Sequence, residues 1–499
     1  MLLTPVASLA QGTINVRAER LPIDKLFADI EKQTGKGFRV SREIEPLRLT
    51  VLLKDMPAQK FRDLTKQVLH LSWEERAAAD APSGKAWFLY RSPRNAEEER
   101  QMRELPVRRL RERIQQFVDA GRLSPAQLDA LEQTDPNLAD TFKSDPRTST
   151  AWRFLGTLPG SALDRIAKGK ALGFPLEGAA SSPHMQAANA LLGGARVEGG
   201  DGPPKSFTVK GEPKQKGMSF GLAGGNFSIA MTMGMLYPNA SDAELSPFSS
   251  IRTGKQEADK WLAAASSTKG TSSEDALLNF AETSGRNIIA EWYPTDSSNA
   301  PQGSPQVAQT ATGSALSYTN YASPPWEVAI VDNTLLIQAR EWYDLRLELI
   351  SEDMQVALDK LFERSPPLHE AWTKASELTY EQASNFRTRN TKVLYIYERT
   401  MYGVLQLEAH LDKADRERIL SERGSAVSSL SQKGRAAVNT LLQAADDDGK
   451  LIHPLPPRPN IWLVADPKSP TGIQVVLRER SGDIAIQKVY LHTPLKSAP

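Results

Sequence analysis

From Thr13 the chain opens with a short stretch of alternating apolar and polar residues, Thr13 to Arg17, and then changes period. Leu26, Phe27 and Ile30 recur at helical spacing between Pro22 and Gly35, which predicts an amphipathic helix with proline near its first turn and a glycine stop. Phe38 to Ser41 and Leu47 to Leu53 alternate again, as half-buried strands do, and Asp55-Met56-Pro57 breaks the second of them. Phe61, Leu64, Val68 and Leu69 return to helical spacing. Trp73 to Ala77 and Ala86 to Tyr90 then form a hairpin pattern around Pro82-Ser83-Gly84. The predicted order is β-α-β-β-α-β-β.

This plan recurs about 250 residues later. Glu274 to Gly285 (EDALLNFAETSG) sets beside Asp24 to Gly35 (DKLFADIEKQTG), and Asn287 to Glu291 takes the place of Gly37 to Ser41. Leu335-Leu336-Ile337 matches Trp87-Phe88-Leu89, Asn439 to Leu442 matches Asn189 to Leu192, and Ile484-Ala485 matches Ile229-Ala230, at spacings of 248, 250 and 255. The fold class expected is α+β: a tandem duplication, each unit a small βαββαββ domain followed by a helical segment and a β-rich segment. The boundaries are 13–93, 97–193 and 206–237 for the first unit, a linker at 238–270, and 271–342, 344–445 and 456–492 for the second. Residues 295–314 form a long polar, low-complexity stretch where the first copy has its third strand.

The wording LPIDKLFADIEKQTGKGFRVSREI, LRLTVLLKDMPAQKFRDLTKQVL and KAWFLY, in that order, resembles the short N-terminal domain of bacterial secretins and TonB-dependent receptors. The resemblance covers residues 13–93, with a degenerate second copy at 271–342, and carries no catalytic residues. It implies a periplasmic docking module that contacts another envelope protein. Nothing downstream resembles a secretin ring or an outer-membrane barrel, so pore or receptor function does not follow.

Composition narrows the setting. At 499 residues the chain exceeds what one core holds, since single cores stop growing near about 250 to 300 residues. A formal net charge of +1 offers no global field for nucleic acid or an anionic membrane. No apolar run reaches the roughly 18 to 20 residues of a membrane span. The absence of cysteine removes disulfides, thiolate nucleophiles and Cys-based metal sites, and suits an oxidising compartment. Met1 to Gly12 (MLLTPVASLAQG) reads as the end of a secretory signal lacking its basic region, so export to the bacterial periplasm or cell envelope is the expectation.

No catalytic signature emerges. The six histidines lack metal-ligand spacing, and Glu408 to Asp412 reads as a solvated helix surface. Asp446-Asp447-Asp448-Gly449 fails as a calcium loop, because its twelfth position is Pro457, and reads instead as a helix C-terminal cap. Ser266 to Lys269 matches S-x-x-K without the companion motifs. Arg108 to Arg113, interleaved with glutamates, reads as intrahelical ion pairing. Catalytic, cofactor-binding and metal residues are therefore none.

Aromatic residues concentrate in the second copy. The candidate interaction surface is Ala86, Phe88 and Tyr90, beside which a partner strand would add, with Trp326, Trp342 and Tyr343. The function expected is an exported, non-enzymatic docking or scaffold protein whose partner is another envelope protein. The alternative is a periplasmic hydrolase of cell-wall or polysaccharide material, with carboxylates between the two units.

Overall fold

The computed structural model describes residues 12–144, 146–176, 182–192, 206–213, 217–224, 227–233, 273–291, 326–339, 341–363, 367, 369–386, 396, 398–451, 459–480 and 482–495. Residues 1–11, where a secretory signal is expected, the expected linker 238–270 with its S-x-x-K sequence, and the polar stretch 295–314 lie outside them. No helix among the described residues is long and apolar enough to cross a membrane.

The first domain has the expected elements: β1 (Thr13–Pro22), α1 (Ile23–Thr34), β2 (Gly37–Val40), β3 (Arg48–Pro57), α2 (Ala58–Leu69), β4 (Ser72–Ala77) and β5 (Lys85–Tyr90). α1 buries Ile23, Leu26, Phe27 and Ile30 and stops at Gly35, whose φ of 63° is cheap only for glycine. The chain continues through α3 (Pro93–Ala120), α4 (Pro125–Glu132), α5 (Pro136–Ser144), α6 (Pro146–Leu155), α7 (Gly160–Ala167), β6 (Leu172–Pro175), α8 (Pro183–Leu192), β7 (Ser206–Glu212), β8 (Gly217–Gly224) and β9 (Phe227–Met233). The second small domain supplies α9 (Ser273–Ser284), β10 (Asn287–Glu291), β11 (Trp326–Val331), β12 (Thr334–Ala339) and α10 (Trp342–Leu345). The remainder is α11 (Glu352–Phe362), α12 (His369–Ala375), α13 (Tyr380–Asn385), α14 (Arg399–His410), α15 (Lys413–Ile419), β13 (Ser425–Ala426), α16 (Gln432–Asp447), β14 (Ile461–Ala465), β15 (Gly472–Glu479) and β16 (Gly482–Tyr490). The class is α+β.

These elements form two compact units, neither of which is a continuous stretch of chain. Unit one is Met1–Arg103 with Asn239–Glu352; unit two is Glu104–Pro238 with Asp353–Pro499. The sequence reading expected successive halves. Instead the two small domains share one unit, and the helical and β-rich segments share the other.

In unit one, β3 pairs antiparallel with both β1 and β10, giving a five-stranded sheet β1-β3-β10-β12-β11. Leu49 to Leu52 stand opposite Glu291 to Ile288. Leu49, Val51, Leu53, Ile289 and Leu336 pack with α1 and α2 on one face, while Leu52, Ile288, Leu335 and Ile337 pack with Leu277, Leu278 and Ala281 of α9 on the other. Burial on both faces corrects the expectation that Leu47 to Leu53 is a half-buried alternating strand: Leu49, Thr50, Val51, Leu52 and Leu53 are all buried. A second sheet, β2-β5-β4, closes the first domain over Phe27, Phe38, Phe61 and Trp73.

The local plan of the two small domains is the same. β2 runs parallel to β5 and β4 antiparallel to it; β10 runs parallel to β12 and β11 antiparallel to it. Phe38 pairs with Trp87, and Ile288 pairs with Leu335, which reproduces both the 250 and the 248 spacings. Gly285 ends α9 at φ 67°, as Gly35 ends α1.

Unit two carries two all-antiparallel sheets of matching order, β6-β7-β8-β9 and β13-β14-β15-β16. Leu138, Phe142, Ala151, Leu155 and Ile166 are buried, and so are Leu358, Phe362, Ala371, Ala375 and Phe386, each 220 positions further on. α8 packs on α6 as α14 packs on α12. By its neighbours α8 therefore corresponds to α14 and not to α16, which revises the Asn189–Asn439 match. α14 and α16 meet closely at Gly403, where a Cβ would lie 2.6 Å from the Leu441 Cα.

Two stability predictions follow from these contacts. Ile289→Ala, at a fully buried position, should cost unit one about 2 to 5 kcal/mol and loosen β3 together with β10, read as joint loss of amide protection in both strands. Gly403→Ala should cost unit two about 1 to 3 kcal/mol in urea denaturation, because backbone and not a flexible side chain blocks the methyl group.

Candidate functional site

A buried polar cluster lies at one end of the β10–β12 pair in unit one. Glu291 ends β10 and has no exposed surface; Gln338 on β12 is equally buried. They stand one residue beyond the Ala290–Ile337 pair, and Gln338 Nε2 donates to Glu291 Oε2 at 2.5 Å. Arg346, in the 3-10 turn after α10, donates from Nε and Nη2 to the two Glu291 oxygens at 2.8 and 3.0 Å, a bidentate fork. Its Nη2 also donates to the Leu69 carbonyl at the end of α2, at 2.6 Å.

Helix α3 closes the cluster with Glu99, 3% exposed. Glu99 lies 2.7 Å from Arg91, 3.7 Å from Arg103 and 3.5 Å from Arg346. His70, the left-handed residue that caps α2, bonds through Nε2 to Gln338 Oε1 at 3.0 Å and stacks on Trp342 with centroids 4.4 Å apart. The Arg346 guanidinium lies 4.4 Å from the same indole. Burial first, then the positive Arg346, push the His70 imidazole down to about 4.

A second cluster sits in unit two. Glu408 on α14 has no exposed surface and accepts from the His492 amide at 2.7 Å, from His492 Nδ1 at 2.8 Å and from Thr493 Oγ1 at 2.6 Å. Burial alone would push this carboxyl up, but those three donors outweigh it and hold it below the usual carboxylate range. His492 stacks on Trp372 at 3.8 Å, and Arg416 donates to the Glu408 and Pro494 carbonyls at 3.0 and 3.3 Å. The expectation of a solvated surface at Glu408 is thus corrected. α14 packs between α12 and α16, so one of its faces points inward, and the imidazole that Glu408 meets is His492 and not His410.

The acidic run is used as a cap. Gly449 takes φ 67° after α16, Asp446 meets Arg165 at 3.0 Å, Asp447 meets Lys170 at 2.7 Å, and Asp448 accepts from the Thr400 amide at 2.7 Å at the start of α14. The basic residues of α3 divide. The intrahelical pairs Arg94–Glu98 and Arg100–Glu97 lie before the run Arg108 to Arg113, whereas within it Arg111 and Arg113 reach outside the helix to Asp164 and Asp135, at 2.7 and 2.6 Å.

The interaction residues separate as well. Trp342 and Tyr343 are 2% and 3% exposed and belong to the core under β12, so they offer no surface; aromatic enrichment marked packing. Ala86 is buried beneath Ala78 and Ala81. β5 is paired on both sides, by β2 and β4, so no strand can add beside Ala86 to Tyr90. Phe88 and Tyr90 do share the outer face of that sheet, half-exposed, with Arg76 over both rings at 5.2 and 5.3 Å. The Trp326 side chain lies outside the described residues.

The buried acids among the described residues are Glu99, Glu291, Glu408, Asp415 and Asp466, and each is engaged by protein donors. Arg346 stands between Glu99 and Glu291. Such a pair is braced, with no gap for a sugar and a water between its members. No group of metal-ligating side chains occurs among the described residues. Comparisons with protein-family models, curated proteins and solved structures found no match to this chain.

Arg346→Met leaves Glu291 buried without its guanidinium and should cost unit one about 3 to 5 kcal/mol in urea denaturation. Replacing Glu291 by Met in the same chain should recover part of that loss. A double variant no more stable than Arg346→Met would show that Glu291 is not the group left stranded.

Proposed function

We propose that this protein is a non-enzymatic docking and scaffold component of the bacterial cell envelope, exported to the periplasm and contacting another envelope protein through its small α/β domains. We further infer that the chain arose by tandem duplication. The observation that carries the docking reading is the β3–β10 pairing: the β2-β5-β4 plan of one small domain, repeated in β10-β12-β11, receives an antiparallel strand at its β10 edge within the chain itself. Main-chain hydrogen bonds along such an edge supply affinity without any catalytic residue.

The chemistry of the buried clusters supports the same reading. Their carboxylates and guanidiniums are spent on one another, on backbone carbonyls and on helix ends, as in a scaffold. The contact surface assigned to the partner is the outer face of β2-β5-β4, where Phe88 and Tyr90 stand half-exposed under Arg76. The charged edge strand β4, with Glu74, Glu75 and Arg76 exposed, resists indiscriminate strand pairing and favours binding on the face. The missing cysteines and the apolar start of the chain fit an exported setting.

The test is affinity capture from envelope extract with the full chain, comparing wild type with Phe88→Ala/Tyr90→Ala. A single specific protein should be retained, and the double variant should weaken its binding by about tenfold or more, since truncating an anchoring aromatic commonly costs over 1 kcal/mol. Recovery of no specific protein, or equal binding by the variant, overturns the reading.

A further inference from the structure

We propose that the seam between the two small domains of unit one is acid-sensitive, and that protonation of His70 loosens it. His70 stands on one side of this seam and its partners on the other. It caps α2 of the first domain, whereas Gln338, Trp342 and Arg346 come from the second. α2 itself packs against β10 and β12, so the imidazole sits where the two domains meet.

The hydrogen bonds fix which form of the ring the seam accepts. Glu291 can only accept, so the Gln338 amide nitrogen points to it and the Gln338 oxygen is left for His70. His70 is then the donor at Nε2, and an added proton goes to Nδ1. Among the described residues, Arg346, Arg91 and Arg103 face Glu291 and Glu99. A proton on His70 adds a further cation near Arg346, on an indole that Arg346 also contacts, with an amide oxygen as its acceptor. Glu291 and Glu99 are already bonded to guanidiniums.

The direction in pH follows. In the closed seam the imidazole is pushed down to about 4; freed from it, the group returns toward its ordinary value of 6.5. The closed form therefore binds protons less readily than the open one. Its stabilisation is complete above about pH 6.5 and is lost progressively as pH falls from there toward about 4, with no further loss below.

The experiment is amide hydrogen exchange on the full chain at pH 7.5 and 4.5, corrected for intrinsic rates and followed in β10 and β12. α16 of unit two serves as an internal reference. The opening equilibrium of the two strands should rise about 70-fold on acidification in the wild type. In His70→Gln, which cannot take the proton, the rise should be absent or much smaller. An equal rise in both proteins, or no rise in the wild-type strands, overturns the proposal. Should His70→Gln not fold, the wild-type imidazole is titrated by NMR: a midpoint near 4 supports the proposal, and one at 6.5 overturns it.

Discussion

Unit one depends on four residues of β3, Leu49 to Leu52, lying antiparallel to four residues of β10. Without that pairing the second small domain offers three described strands and two helices, with the β10 edge open and Ile289, Ala329 and Leu336 uncovered on one face. A sheet of that size holds together only when something covers its apolar side. α1 and α2 of the first domain do so, and the same helices cover the first domain's own strands. One core then serves two domains, which is why they merge although the 135 residues Glu104–Pro238 separate them in the chain.

That merging also sets where polar groups end up. Glu291 and Gln338 lie at the end of strands buried on both faces, so neither can reach water, and both must be satisfied by what surrounds them. Arg346 and His70 do this, one from each domain. The cluster acts as a register mark, because a one-residue slip of β10 against β12 would carry Glu291 to the opposite face and away from its guanidinium. The Glu408 cluster plays the corresponding part in unit two, where it fastens His492 and Thr493 to α14 while Leu491 and Leu495 fill the core.

The first domain was legible in the sequence almost element by element, because period and turn chemistry agree from Thr13 to Tyr90. The two glycine stops and the strand register behind the 248 and 250 spacings were legible too. The partner of the second edge of β3 was not. Periodicity says which faces are apolar and cannot say what covers them, and Leu47 to Leu53, expected to be half-buried, is covered on both sides. The polar clusters were invisible for a related reason. Arg346 and Leu69 are 277 positions apart, and Glu408 and His492 are 84 apart, so no local motif joins them. Trp342 and Tyr343 misled, since an aromatic side chain looks the same in a sequence whether it anchors a partner or fills a core.

The long return of the chain has a consequence for how the molecule is made. Lys54 at the end of β3 bonds to Asn287 at the start of β10, a separation of 233 residues. At about 5 to 20 residues per second, a ribosome takes roughly 10 to 50 seconds to deliver the partner of β3 after β3 itself has emerged. Throughout that interval Leu49 to Leu52 present an apolar strand with one unpaired edge, the kind of template on which neighbouring chains aggregate. Unit one therefore stays open to misassociation at β3 until β10 arrives.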